Sequence, residues 1–155
     1  MTELELQAQV ADYIRLRYPG VIFHSDFGSG IKLTMGQAIR QKRLNGGRRA
    51  WPDMFLAEPG YTKTECKLVD PAMDKVVDER YTLRNQKHGL FIELKKEGTR
   101  IFKKDGTLVA NEHIREQFDM LADLRHKGYV AEFACGFDEA KKLIDKYLMG
   151  ELCED

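Results

Sequence analysis

Asp53 and the triplet Glu93-Leu94-Lys95 are the residues whose types and spacing best suit chemistry on a phosphodiester. The triplet lies inside Gly89 to Lys96, a run that otherwise reads as a buried strand. Alternate side chains of a strand share a face, so Glu93 and Lys95 project together beside an apolar core. A buried carboxylate or ammonium is costly unless it is paired or a metal is bound. Hydrolysis of a phosphodiester needs charge neutralised on the phosphate oxygens and a water activated for in-line attack. A hard divalent cation does both and prefers oxygen ligands. Asp53 and Glu93 are the candidate ligands. Lys95 would orient or deprotonate the water and offset the developing negative charge. Taken singly, a Pro-Asp dipeptide is usually a turn and Glu-x-Lys is a common triplet. Their combination in buried-strand contexts carries the reading.

Other residues bear on the same chemistry. Glu65-Cys66-Lys67 is a second Glu-x-Lys, nearer to Asp53, but its neighbours Thr62, Lys63 and Thr64 are polar. It reads as a solvated edge strand, and the later copy is preferred. Gln117 sits at the margin of an apolar helical stripe, where it either faces the strand ends or is an ordinary exposed glutamine. His113, one turn earlier, suits a surface or phosphate contact. Glu3 falls on the inward line of the first helix through Leu6 and Val10. Two roles fit it equally: reaching a metal or its water, and complementing the helix dipole. From Phe27 to Pro52 there is no Asp or Glu, while Lys32, Arg40, Lys42, Arg43, Arg48 and Arg49 all fall there. Such a stretch, leading directly into Asp53, fits sequence-independent contacts with DNA phosphates.

These groups must be positioned by a scaffold, and its elements are legible. Residues 3–17 form a helix opened by a capping box of Thr2 and Glu5 and ended at Pro19-Gly20. Val21 to Phe23 is a short strand. Thr34 to Leu44 is a short helix closed by Asn45-Gly46-Gly47. Met54 to Ala57 is a second strand and residues 89–96 a third. Between them, residues 60–88 alternate and then turn strongly polar, which suggests an inserted hairpin and helix around 59–89. Lys104-Asp105-Gly106 signals a hairpin turn. Asn111 caps a helix reaching Lys127, with Ile114, Phe118, Leu121 and Leu124 inward. Tyr129 to Cys135 is a fourth strand, and Asp138 caps a last helix through Leu148. This order describes a single α/β domain, a mixed central sheet flanked by helices.

The chain has 155 residues, enough for a genuine core, and its apolar fraction of 43% is ordinary. The formal net charge is zero, which excludes coating of nucleic acid by bulk charge alone. Cys66, Cys135 and Cys153 make no Cys-x-x-Cys pair, so neither a zinc knuckle nor a disulfide framework is suggested. No apolar run approaches membrane length and the first residues do not resemble a signal peptide. The expectation is a soluble cytoplasmic protein that does not contact a membrane.

The chain resembles a VRR-NUC domain, the virus-type replication-repair nuclease branch of the PD-(D/E)xK superfamily. The residues carrying the resemblance are Glu3 four positions before Gln7, then Gly36-Gln37-Ala38 and the run from Arg43 through Trp51-Pro52-Asp53. They continue in Phe91-Ile92-Glu93-Leu94-Lys95, Gln117, Gly128-Tyr129 and Asp138-Glu139-Ala140. The resemblance implies a restriction-endonuclease-like three-layer fold and Mg²⁺- or Mn²⁺-dependent DNA cleavage. It implies Asp53, Glu93 and the backbone carbonyl of Leu94 as metal ligands and Lys95 as the catalytic lysine, with Gln117 and Glu3 matching the branch's glutamine and helix-borne acid. It also implies a stand-alone phage or viral member acting in the bacterial cytoplasm, a homodimer, and action on branched DNA such as four-way junctions. Two features depart from the family pattern: the long insert, and Trp51, where a small residue is more usual. The rival reading is a catalytically silent DNA-binding module on the same fold.

Overall fold

Thr2 accepts a hydrogen bond from the Glu5 amide, and the Glu5 carboxylate accepts one from the Thr2 amide. This reciprocal cap starts α1, Glu3–Arg17, as the sequence predicts. The computed structural model describes every residue except 27–31, 71, 73, 74, 154 and 155; the side chains of 64–70, 75–84 and 153 are likewise outside the description. The elements that follow are β1 (Phe23–Ser25), α2 (Met35–Leu44), β2 (Met54–Leu56), β3 (Gly60–Asp70), β4 (Lys75–Lys87) and β5 (Leu90–Lys95). The chain continues with α3 (Glu112–His126), β6 (Val130–Cys135), α4 (Phe137–Leu148) and β7 (Leu152–Cys153).

The central sheet has the order β1-β2-β5-β6. β1 and β2 are antiparallel, as are β2 and β5, while β5 and β6 run parallel across the α3 crossover. The alternation of β5 explains the layering. Leu90, Ile92 and Leu94 pack into a core with Leu6, Val10 and Ile14 of α1 and Ala140, Ile144 and Tyr147 of α4. Phe91 points to the other face, against Met120, Leu121 and Leu124 of α3. Helices cover both faces, so all six residues of β5 are buried, as expected for a strand paired on both sides. Glu93 and Lys95 share the α3 face with Phe91.

Residues 60–88 match the sequence reading in part. The expected hairpin is present: β3 and β4 pair antiparallel along their length, and the other edge of β3 pairs in parallel with β7, while no helix occurs there among the described residues. A segment whose sequence is polar throughout much of its length lacks the alternating apolar pattern by which a strand is recognised. Asn85 is skipped in the pairing where the register shifts beside Tyr61 and Thr62, and its φ of 52° puts it in the left-handed region that Asn tolerates. Smaller differences lie at element ends. The first strand sits two residues later than predicted, at Phe23–Ser25. α4 is capped at Gly136, without a side-chain bond, and Asp138 lies within its first turn. Phe118 is only partly buried, while Gln117 and Met120 face inward.

The alignment of β2 on β5 has no slack at its far end. A Cβ on Gly89 would stand 2.6 Å from Cε2 of Phe55 and 2.8 Å from the Leu56 carbonyl oxygen. The second of these is backbone and cannot rotate away. Gly89→Ala is therefore expected to destabilise the protein by about 2 kcal/mol or more, a fall in Tm of roughly 5 °C. An unchanged melt would show that the two strands separate more easily than their contacts indicate.

Candidate active site

The β2–β5 register brings the predicted acids together. Met54 pairs with Ile92, so Asp53, just before β2, falls beside the Glu93–Leu94 segment. The Asp53 Oδ2 accepts a hydrogen bond from the Leu94 amide at 2.8 Å. Asp53 is also held through its main chain: its carbonyl accepts from the Asp26 amide at 2.8 Å and from the Gln7 side chain at 3.2 Å. Gln7 is buried on α1, and its Nε2 also donates to Ser25 Oγ and the Asp26 carbonyl, both at 2.7 Å. One glutamine thus ties α1 to the ends of β1 and β2, where the acid is carried.

Glu93 and Lys95 are 3% and 7% exposed. The Lys95 Nζ donates to Glu93 Oε1 at 2.8 Å. Gln117 Nε2 donates to that same oxygen, and the amide's second proton faces His113 Nε2 at 3.1 Å. Gln117 Oε1 is buried with no hydrogen-bond partner among the described residues. Burial pushes the Glu93 carboxyl up to about 8, with the Asp53 charge adding to the effect and Lys95 opposing it. Two carboxylates and one ammonium leave the centre short of positive charge. That shortage, the oxygen-rich donor set and the unmatched Gln117 oxygen fit a hard divalent cation.

The centre opens into a cleft of about 590 Å³. Glu3, half-buried, lines it together with His113, Gln117, Asp53, Glu93 and Lys95. Asp26 also lines it, a carboxylate that no sequence signal singled out. The basic stretch divides. Lys42, Arg48 and Arg49 line the cleft, whereas Lys32, Arg40 and Arg43 are exposed elsewhere. Helical spacing explains the split within α2, since Arg40 and Arg43 lie off the arc that carries Met35, Ala38, Ile39 and Lys42. Arg48 forms an ion pair with Asp123 of α3, which anchors the segment leading to Asp53. The second Glu-x-Lys lies in β3, on the sheet apart from Asp53.

Gln7 was missed as a positioning residue, although a glutamine beside an apolar helical stripe was a usable signal. Trp51 and the exposed Met35 and Ile39 of α2 also line the cleft.

No family model matches the sequence, and no curated protein matches it. A solved structure does match: a protein described as "VRR_NUC domain protein", with 21% identity, a TM-score of 0.53, and coverage of 99% of this chain and 93% of that one. The chain has the fold of a VRR_NUC domain protein. That fold places α1, β2, β5 and α3 around the Asp53–Glu93–Lys95 centre, in the three-layer arrangement the resemblance implied. No helix among the described residues is long and apolar enough to cross a membrane, nor do those residues hold a cluster of three or more His, Cys, Asp or Glu side chains suited to a metal.

Proposed function

We propose that this chain is a Mg²⁺- or Mn²⁺-dependent deoxyribonuclease that hydrolyses phosphodiester bonds. The observation that carries the reading is the convergence of Asp53, Glu93 and Lys95, all buried, at the floor of a cleft with Lys42, Arg48 and Arg49 on its walls. The ligands would be the Asp53 and Glu93 carboxylates and the Leu94 carbonyl. Lys95, the next residue, turns its carbonyl toward β6, where it accepts from the Gly136 amide at 2.8 Å. Successive residues of a strand alternate in the direction of their main-chain groups, which sends the Leu94 carbonyl toward Asp53, as its amide already is. A bound cation would supply Lewis-acid neutralisation of the scissile phosphate.

The chain's own groups do the rest. Lys95 Nζ, anchored on Glu93 Oε1, presents its remaining protons to the cleft, where they orient an attacking water and offset charge on the phosphate oxygens. Gln117 holds Glu93 from the α3 side, and the Leu94 amide holds Asp53, so both acids are preorganised. Glu3, at the first turn of α1, faces the same space as a helix-borne acid. Lys42, Arg48 and Arg49 contact phosphates within the cleft. Lys32, Arg40 and Arg43 extend that cationic surface outside it. The reading includes branched DNA such as four-way junctions as substrate, a homodimer as the working form, and action in replication, repair or recombination in the cytoplasm, in the manner of a phage protein.

The test is incubation of the pure protein with linear duplex, flap, splayed-arm and four-way junction DNA, in Mn²⁺, in Mg²⁺ and in chelator. Cleavage that requires the cation and favours branched substrates is expected. Tight DNA binding without cleavage of any substrate would replace the nuclease by the silent DNA-binding module.

A further inference from the structure

Resting on the nuclease reading of this cleft, we propose that it receives a DNA strand with an unstacked base, and that Trp51 is the surface on which that base stacks. Trp51 is the one tryptophan of the chain and stands two residues before Asp53. The residue is 39% exposed and lines the cleft. Behind it the ring rests against Phe91, at 6.3 Å between centroids, and Phe91 is in turn stacked on Phe55 at 4.4 Å. The indole is therefore a braced platform with a free side. Its setting is imposed by the backbone, because Ala50 adopts a φ of 57°, a left-handed conformation that costs a non-glycine residue.

Met35 and Ile39 of α2 line the same cleft and are 83% and 64% exposed. α2 has no buried residue, so this apolar arc is not explained by packing within the chain. Lys42 lies on the same arc, and Arg48 and Arg49 stand beside Trp51. The cleft thus combines an apolar wall, an aromatic face and cations. Duplex DNA offers such a wall little, since its base faces are hidden in the stack and its outside is phosphate. A strand with an unpaired base offers both a π-face for Trp51 and phosphates for the cations. An apolar protein segment would meet the wall but offer no anionic complement to Lys42 and Arg49, or to Arg48 beyond its pair with Asp123. The unpaired base therefore satisfies more of the cleft, and the site selects substrates with unstacked nucleotides at or beside the scissile bond.

The single tryptophan is its own reporter. Titrate the cleavage-impaired Lys95→Gln protein, in Mg²⁺, with a short oligothymidylate, with an abasic oligonucleotide of equal length, and with duplex, following indole fluorescence. The oligothymidylate is expected to quench the emission strongly and to bind about tenfold tighter than the abasic strand. Read by the anisotropy of end-labelled strands, since these variants carry no indole, adding Trp51→Ala should remove that advantage, and Trp51→Phe should restore most of it. Equal binding and quenching by the abasic strand, or no quenching by any DNA, overturns the stacking surface. Wild-type cleavage of DNA alongside that negative result leaves the nuclease standing without it. Base-dependent quenching by a protein that cleaves nothing upholds the surface and removes the nuclease.

Discussion

Lys95→Gln is expected to lower the rate of DNA cleavage by about 10²- to 10⁴-fold while leaving DNA affinity nearly unchanged. The reason is geometric. Lys95 is held by one bond to Glu93 and is nearly enclosed between β5 and α3, so it contributes almost nothing to the accessible cationic surface. Affinity rests on Lys42, Arg48, Arg49 and their exposed neighbours, each of which contributes a salt-dependent contact. Glutamine retains a donor for Glu93, so the local fold is preserved and the loss reports on charge at the reacting phosphate. Asp53→Asn is expected to fall as far, because asparagine still accepts from the Leu94 amide but removes a negative ligand. Lys67→Gln is the control: Lys67 lies on the β3–β4 hairpin and should cleave as the wild type does. Gel assays of cleavage and filter or anisotropy measurements of binding separate the two effects. Full cleavage by Lys95→Gln would remove the lysine from the mechanism, and equal loss in Lys67→Gln would reassign the motif to the hairpin.

Glu93→Gln is expected to stabilise the cation-free protein at pH 8 and to abolish its stabilisation by Mn²⁺. The burial of Glu93 and the nearby Asp53 charge raise its carboxyl to about 8 in the folded state, from 4.5. The native state therefore keeps a proton that the unfolded chain has released. Stability falls as pH rises between those two values and is restored as pH drops below 4.5. The penalty at pH 8 is on the order of 3 kcal/mol, allowing for the strong interaction with Lys95, which corresponds to a Tm difference of very roughly 5–10 °C. Glutamine keeps the shape and an acceptor for Lys95 without the charge. The gap between variant and wild type should therefore narrow from pH 8 to pH 5. A cation that binds only the folded state raises the wild-type Tm by mass action, and the variant has lost a ligand. Thermal melts over that pH range, with and without Mn²⁺, check both statements. A variant that melts below the wild type at pH 8 would show that Glu93 stabilises the fold as an ordinary ion pair. Wild-type protein unmoved by Mn²⁺ would remove the cation from the site.

Features that depend on neighbours along the chain are legible in the residues alone. The Thr2–Glu5 capping box and the Asn111 cap are short-range hydrogen bonds, and they start α1 and α3 where the spacing says. The apolar run Leu90-Phe91-Ile92, resumed at Leu94, marks a strand covered on both faces, and its period of two puts Glu93 and Lys95 on one side. Which distant pieces meet is set by the folded arrangement. The choice between Glu65-Cys66-Lys67 and Glu93-Leu94-Lys95 turns on strand pairing: β5 lies beside β2, and β3 does not. The register that sets Met54 against Ile92, and so Asp53 against Leu94, is a non-local fact that no window of sequence contains. The same holds for Gln117, whose inward rotation places it on Glu93, and for Gln7, whose side chain gathers the ends of β1 and β2. It holds again for the basic stretch, where helical rotation alone turns Lys42 into the cleft and Arg40 away from it. The sequence suggests a hairpin within 60–87, but that its strands take up the segment in place of a helix is illegible for the complementary reason. Its strands are satisfied chiefly by each other's backbones, and backbone pairing writes no apolar period into the side chains.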